Sequence, residues 1–443
     1  MSFIKNSFVF MAILVTINPG QAQDREALIF KIKQGIDSGK IAYKLTEPEE
    51  IFDLLGSPQN RKESRDGGML LLEIQYNQIS ILFGKMSGRS APFTLLRITD
   101  NGEKVDIGEN SKISLRTKAD LVKFDTFWGF QNVSLAALDL REEEKLLRAM
   151  TFDTLTEWPS EDRLPSGFDP VRMIEEGKNP GLGIKTLHKQ GIDGRGVGLA
   201  IIDQKLLLGH EEYTSSIVRY DAGGLGRQSY QMHGPPVASI AVGKSLGVAP
   251  AAELTYFAVP MWENDNLHYV RAIRRVFELN ERLPELEKIR VISISSGGFS
   301  SQNGYEEWKK VLLQSESRGI YVVTCDNSFL TYGVLSLIPG KDPDLPGSYQ
   351  RGIYHHEDDL IRVPTGNRTI ASHRGEHVYT YEINGGMSWG APYIAGLAAL
   401  AFQVNPDVTP KEITRCLLET VVQTQAGPVV NPAGFIKKIR EKK

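Results

Sequence analysis

From about residue 194 onward the chain keeps one rhythm: short apolar runs closed by turn residues, separated by stretches with helical periodicity. Val197–Ile202, Leu254–Val259, Val291–Ile294 and Ile320–Val323 are too short and too uniformly apolar for amphipathic helices, and read as strands buried on both faces. Tyr269–Leu279 and Tyr305–Ser317 place apolar residues three and four apart and read as helices. Strands that alternate with helices are joined by crossovers, so the pattern predicts an α/β fold with a mostly parallel sheet flanked by helices on both faces. Sheets of this kind hold their functional side chains at the carboxyl ends of the strands.

The amino-terminal half has a different grain. Lys5, an apolar run from Phe8 to Ile17, and the small residues Gly20 and Ala22 have the order of a secretory signal peptide cleaved after Ala22. The run is too short to cross a bilayer, and no later stretch approaches a span, so no integral membrane segment is expected after signal cleavage. Residues 24–150 read as a small α+β domain: a helix from Pro48 ends in the Leu55–Pro58 turn, and Gly68–Tyr76 and Gln78–Phe83 are strand-like. Arg141–Arg148 reads as a solvated helix face. The proline-, glycine- and charge-rich Trp158–Gly183 marks an ordered connector. The expected division is therefore signal peptide 1–22, amino-terminal α+β domain 24–150, connector 151–193 and α/β domain 194–443.

Two global quantities narrow the function. A formal charge of −3 over 443 residues gives no reason to expect nucleic acid or an anionic membrane as a partner. Two cysteines, Cys325 and Cys416, make no disulfide framework, and leave a single bridge as an open alternative in an exported protein. The expected location is secreted, periplasmic or cell-surface.

Three residues stand where chemistry is expected. Asp203 ends the run Gly198–Ile202; an aspartate there is a turn former or helix cap as readily as a functional carboxylate. His233 opens His233–Ala241 (HGPPVASIA), whose prolines suit the first turn of a helix and whose small residues permit close packing. Ser388 lies in Asn384–Gly396 (NGGMSWGAPYIAG), where glycines allow a tight turn into a helix with free N–H groups at its start. A serine there is an N-cap or a nucleophile.

Taken together, the order Asp, His, Ser with these flanks resembles the subtilisin-like serine peptidase family, whose triad follows that order. The matching segments are GLAIID at Asp203, HGPPVASIAVG with GVAPAAEL beyond His233, and GGMSWGAPYIAGLAAL at Ser388, spanning roughly residue 194 to the carboxyl terminus. The resemblance implies a serine endopeptidase whose seven-stranded, mostly parallel α/β peptidase domain is 194–443, with 24–150 an accessory domain or prodomain. Ser388 would be its nucleophile, His233 its base, and Asp203 the group that orients the imidazole. It also implies an oxyanion donor at Asn327, in Tyr321–Asn327, and a substrate-lining loop at Ser296, Gly297 and Gly298. Protein or peptide would be the substrate. No cofactor is required; the family's calcium has no recognisable ligand spacing here, Asp342, Asp344 and His355–Asp359 reading as solvated loops.

The chain departs from the family pattern at Gln204 and Lys205 after the aspartate, at Pro235 after the His233–Gly234 pair, and at Met387 and Trp389 around the serine. None removes a reacting group. These departures define the alternative of a catalytically impaired relative that binds extended peptides. A third alternative, acyl transfer to an amine, shares the acyl-enzyme.

Overall fold

The computed structural model describes residues 19–38, 40–66, 69–86, 93–105, 112–124, 129–226, 230–326, 330–353 and 358–442. The run Phe8–Ile17, on which the signal peptide reading rests, lies outside them. No described helix is long and apolar enough to cross a membrane. The chain divides into two compact units, residues 1–125 with 134–138, and residues 126–133 with 139–443.

The smaller unit holds α1 (Pro19–Asp37), α2 (Pro48–Leu55) and the strands β1 (Asn60–Asp66), β2 (Met69–Tyr76), β3 (Ile79–Met86), β4 (Thr94–Asp100) and β5 (Glu103–Val105). The five strands form one antiparallel sheet in sequence order. Alternate residues of β2 and β3, among them Leu72, Ile74, Ile81 and Phe83, pack with Ile32 of α1 and Ile51 of α2. This is the period of two expected of a sheet covered on one face. Two-residue strands β6 (Ile113–Ser114) and β7 (Val133–Ser134) follow.

The larger unit begins with the helical turn α3 (Glu144–Leu147), β8 (Phe152–Asp153), α4 (Pro170–Glu176) and α5 (Ile184–Lys189). Next come β9 (Gly198–Asp203), β10 (Ile217–Asp221), α6 (Gly234–Val242), β11 (Glu253–Ala258), α7 (Asn266–Asn280), β12 (Ile289–Ile294), α8 (Tyr305–Ser317) and β13 (Tyr321–Thr324). The remainder is β14 (Tyr332–Leu337), β15 (Tyr349–Arg351), β16 (Ile361–Gly366), β17 (Arg368–Ala371), β18 (Tyr379–Glu382), α9 (Met387–Val404), α10 (Pro410–Glu419), β19 (Val422–Thr424), β20 (Gly427–Val429) and α11 (Pro432–Arg440).

Its centre is a five-stranded sheet in the order β10-β11-β9-β12-β13, parallel throughout. All six residues of β9 are buried, because helices cover both faces. Leu199 and Ile201 pack into the cluster containing Val237 and Ile240 of α6 and Ile394 and Leu397 of α9. Ala200 and Ile202 face the other way, with Ile273 of α7 and Val311 of α8. A second five-stranded sheet, β15-β14-β16-β20-β19, contains the parallel pairs β14/β16 and β16/β20. No ladder joins β13 to β14 among the described residues, so the seven-stranded sheet implied by the family resemblance is divided in two. The chain leaves β13 at Cys325, whose N–H donates to the Ser296 carbonyl at 2.9 Å and turns it toward the end of β12.

The connector reading covers 151–193, yet this stretch contributes packed structure. Phe152 of β8 pairs antiparallel with Tyr381 of β18. Trp158 packs edge-on against Phe152 at 5.3 Å between ring centroids and also meets Phe168. Here the larger unit takes in residues from 139 onward.

Candidate active site

The order β10-β11-β9-β12-β13 puts a switch between β9 and β12: from β9 the chain goes to the edge strand β10, returns to β11 beside β9, then crosses to β12 on the other side. Crevices at such switch points, beyond the strand carboxyl ends, are where open α/β sheets bind ligands. Asp203 is the last residue of β9 and Ser295 is the first beyond β12.

Asp203 is fully buried. Its Oδ1 accepts from the Gln204 N–H at 2.7 Å and lies 2.7 Å from His233 Nδ1. A proton on Nδ1 makes the imidazole the donor in that bond and leaves Nε2 as the free base. Asp203 Oδ2 is buried without a hydrogen-bond partner among the described residues. A buried carboxylate with one oxygen unmet strongly favours keeping its partner beside it.

His233 stands at the N-cap of α6, ahead of Pro235 and Pro236 in the first turn. Those prolines lack N–H groups that would be orphaned there anyway. Gly234 is required by space: a Cβ would stand 2.6 Å from Tyr256 Oη and 3.0 Å from the Gln204 carbonyl oxygen. That close approach seats His233 against the end of β9. The imidazole side chain remains 15% exposed, so one edge reaches solvent.

Ser388 occupies the first turn of α9, behind an extended Gly386 and a left-handed Gly385 with φ of 65°. A Cβ on Gly385 would lie 2.4 Å from Thr365 Oγ1, so only glycine lets this turn lie against β16. Ser388 Oγ donates to the Ser295 carbonyl at 3.4 Å, and Ser295 Oγ donates to the Ser388 carbonyl at 2.8 Å. Among the described residues no hydrogen bond joins the Ser388 hydroxyl to His233.

Trp389 is 4% exposed, and its ring lies 5.2 Å from the His233 imidazole at a 34° tilt. The side chain that departs most from the family pattern thus packs inward and supports the face of the histidine.

The predicted substrate loop follows β12. The Ser296 carbonyl accepts from the Cys325 N–H at 2.9 Å, and the Gly297 carbonyl accepts from Gln302 Nε2 at 3.2 Å. A Cβ on Gly297 would lie 3.2 Å from the Cys325 carbonyl, whereas Gly298, with φ of 72°, faces open space. Asn327 lies outside the described residues.

Cys325 and Cys416 are both free thiols. Burial pushes the Cys325 thiol up to about 12, against the lowering effect of Tyr332 and Ser388 beside it. Ser295, Cys325 and Tyr332 are the neighbours that motif reading did not assign to the serine. Their one sequence signal is Pro392, four residues beyond Ser388, which deprives that residue's carbonyl of a helical donor.

The acidic loop residues that lie in described stretches bond protein groups. Asp344 Oδ1 accepts from Gly183 N–H at 3.0 Å and Asn179 Nδ2 at 3.3 Å, and Asp342 Oδ1 accepts from the Asp344 N–H. Asp359 pairs with Arg362 at 3.3 Å, and His355 to Glu357 lie outside the described residues. No group of three metal-ligating side chains occurs among the described residues.

The larger unit is thus an α/β structure on a parallel sheet, with an aspartate, a histidine and a serine presented around its carboxyl edge. No protein-family model matches the chain. It is similar to the solved structure described as the A-subunit of the AB5 toxin from E. coli, at 16% identity and a TM-score of 0.46, over 59% of this chain and 98% of that one. The prenylagaramide maturation protease PagA is similar at 17% identity and a TM-score of 0.44, over 58% of this chain and 98% of that one. A cold-adapted subtilisin-like serine proteinase matches at 20% identity and a TM-score of 0.40, over 54% of this chain and 89% of that one.

Proposed function

We propose that this chain is an exported serine endopeptidase that hydrolyses peptide bonds through Asp203, His233 and Ser388. The observation that carries the reading is the 2.7 Å contact between His233 Nδ1 and a fully buried Asp203, at the strand edge where the first turn of α9 presents a serine. A serine hydroxyl is a weak nucleophile at neutral pH and needs a base with a free nitrogen. Rotation about the Cα–Cβ bond takes Ser388 Oγ from the Ser295 carbonyl toward His233 Nε2. The hydroxyl proton passes to Nε2 as Oγ bonds the scissile carbonyl carbon, and Asp203 stabilises the imidazolium. The Ser388 backbone N–H and the Asn327 side-chain amide meet the oxyanion. Collapse expels the amine, which takes the proton from Nε2. Water, deprotonated by the same nitrogen, then releases the acid and restores the hydroxyl. The substrate lies extended along Ser296–Gly298, and export places the enzyme in a secreted, periplasmic or cell-surface setting.

The rival is a peptide-binding relative that does not turn over, and one observation favours it: the Ser388 hydroxyl is engaged by the Ser295 carbonyl instead of His233. Apo serine hydrolases often tighten the nucleophile–base contact only when substrate arrives. A mixed peptide library incubated with wild type and Ser388→Ala, analysed by mass spectrometry, separates the two. The peptidase reading predicts new termini that appear only with wild type. Intact peptides retained equally by both proteins would establish binding without hydrolysis, and joined peptides would indicate transfer to an amine.

A further inference from the structure

The helix that presents Ser388 has a gap in its own hydrogen bonding. Pro392 stands inside α9 four residues after Ser388, has no N–H to offer the Ser388 carbonyl, and crowds it with its ring. A carbonyl released in this way and sheltered from water needs another donor. Ser295 supplies one: it is 3% exposed, and its Oγ lies 2.8 Å from the Ser388 carbonyl oxygen. The neighbouring Met387 carbonyl accepts from Tyr332 Oη at 2.9 Å, so side chains from beyond β12 and from β14 fasten the turn that carries the serine. First turns otherwise tend to fray, because their N–H groups lack partners within the helix.

We propose that Ser295 is a positioning residue whose hydroxyl replaces the helix hydrogen bond that Pro392 denies to Ser388, and so fixes the backbone from which the nucleophile acts. The proposal rests on the reading of Ser388 as nucleophile. The two bonds between Ser295 and Ser388 then do different work. The 3.4 Å bond from Ser388 Oγ to the Ser295 carbonyl breaks when the hydroxyl turns to His233. The 2.8 Å bond from Ser295 Oγ to the Ser388 carbonyl survives that rotation, so the side chain swings on a fixed backbone. Small displacements of a nucleophile are costly in rate, about a hundredfold for about 1 Å.

Two measurements on the full chain test it. The first is the rate of Ser388 labelling by a fluorophosphonate in wild type, Ser295→Ala and Ser295→Thr: the alanine variant slows labelling about tenfold, and threonine, which keeps a hydroxyl, recovers most of it. The second is a thermal-stability cycle with Pro392→Ala, which returns an N–H to the Ser388 carbonyl. Ser295→Ala lowers the melting temperature by about 2–4 °C in the native background and has little effect beside Ala at 392. Unchanged labelling in a folded Ser295→Ala protein, or the same thermal loss in both backgrounds, overturns the proposal. If wild type itself takes no label, the nucleophile reading fails, and the cycle alone decides whether Ser295 holds this backbone.

Discussion

Cys325 Sγ accepts from Tyr332 Oη at 3.7 Å beside the serine's turn, yet its chemistry is muted. A thiol held near 12 by burial carries almost no thiolate at neutral pH, and the thiolate is the reactive form. The sign is fixed by the acid: raising its pKa lowers the charged fraction at every pH below that value. Carboxymethylation of Cys325 at pH 8 is therefore expected to run at least about a hundredfold slower in the folded protein than in the unfolded chain. Equal rates, measured by peptide mapping, would show that the thiol is activated. A strand end, paired prolines and glycine turns single out Asp203, His233 and Ser388 in the sequence, and only their order, which resembles that of the subtilisin-like peptidases, assigns them roles. Ser295 was not legible there, because a serine one residue past a strand looks like any other until its Oγ is found 2.8 Å from the Ser388 carbonyl.

Helix α9 shows how an element is chosen by the room available to it. Its buried face includes Ala391, Ala395, Gly396, Ala398 and Ala399, which let it lie close to neighbouring α6 in one core cluster. A Cβ on Gly396 would stand 2.5 Å from Val248 Cβ. Gly396→Val is expected to destabilise the protein by about 1–3 kcal/mol in denaturant unfolding, through overpacking. Leu313→Ala, on an outward face of α8, is expected to stay within about 0.5 kcal/mol. Equal losses at the two positions would contradict the close packing of α9. Strand β16 was hidden in the sequence for the opposite reason. Its run Ile361–Gly366 contains Arg362 and Pro364, which oppose a buried-strand reading, whereas in the fold Arg362 reaches the Asp359 carboxylate and the Ala426 carbonyl. The charged run Arg141–Arg148 condenses to the single turn Glu144–Leu147, whose Leu147 is buried, with Leu140 and Met150 buried on either side.

At the scale of the whole chain, the repeating strands and helices of the larger unit were readable because parallel sheets bury continuous apolar runs: β9, β11, β12 and β13 each fall within a residue or two of their sequence reading. The part played by residues 151–193 was not readable. Prolines and glycines that look like a linker in isolation are held by local packing of Phe152, Trp158 and Phe168 and by pairing of β8 with β18, which lies more than two hundred residues away in sequence. Peptide hydrolysis by this chain requires that His233 activate Ser388. The direct measurement is intact-mass analysis of the purified protein exposed to a fluorophosphonate, alongside Ser388→Ala and His233→Ala. A single adduct mapped to Ser388, absent from the serine variant and slowed at least about a thousandfold without the histidine, is the expected result. Folded wild-type protein that takes no adduct, or takes it equally well without His233, would contradict the peptidase reading.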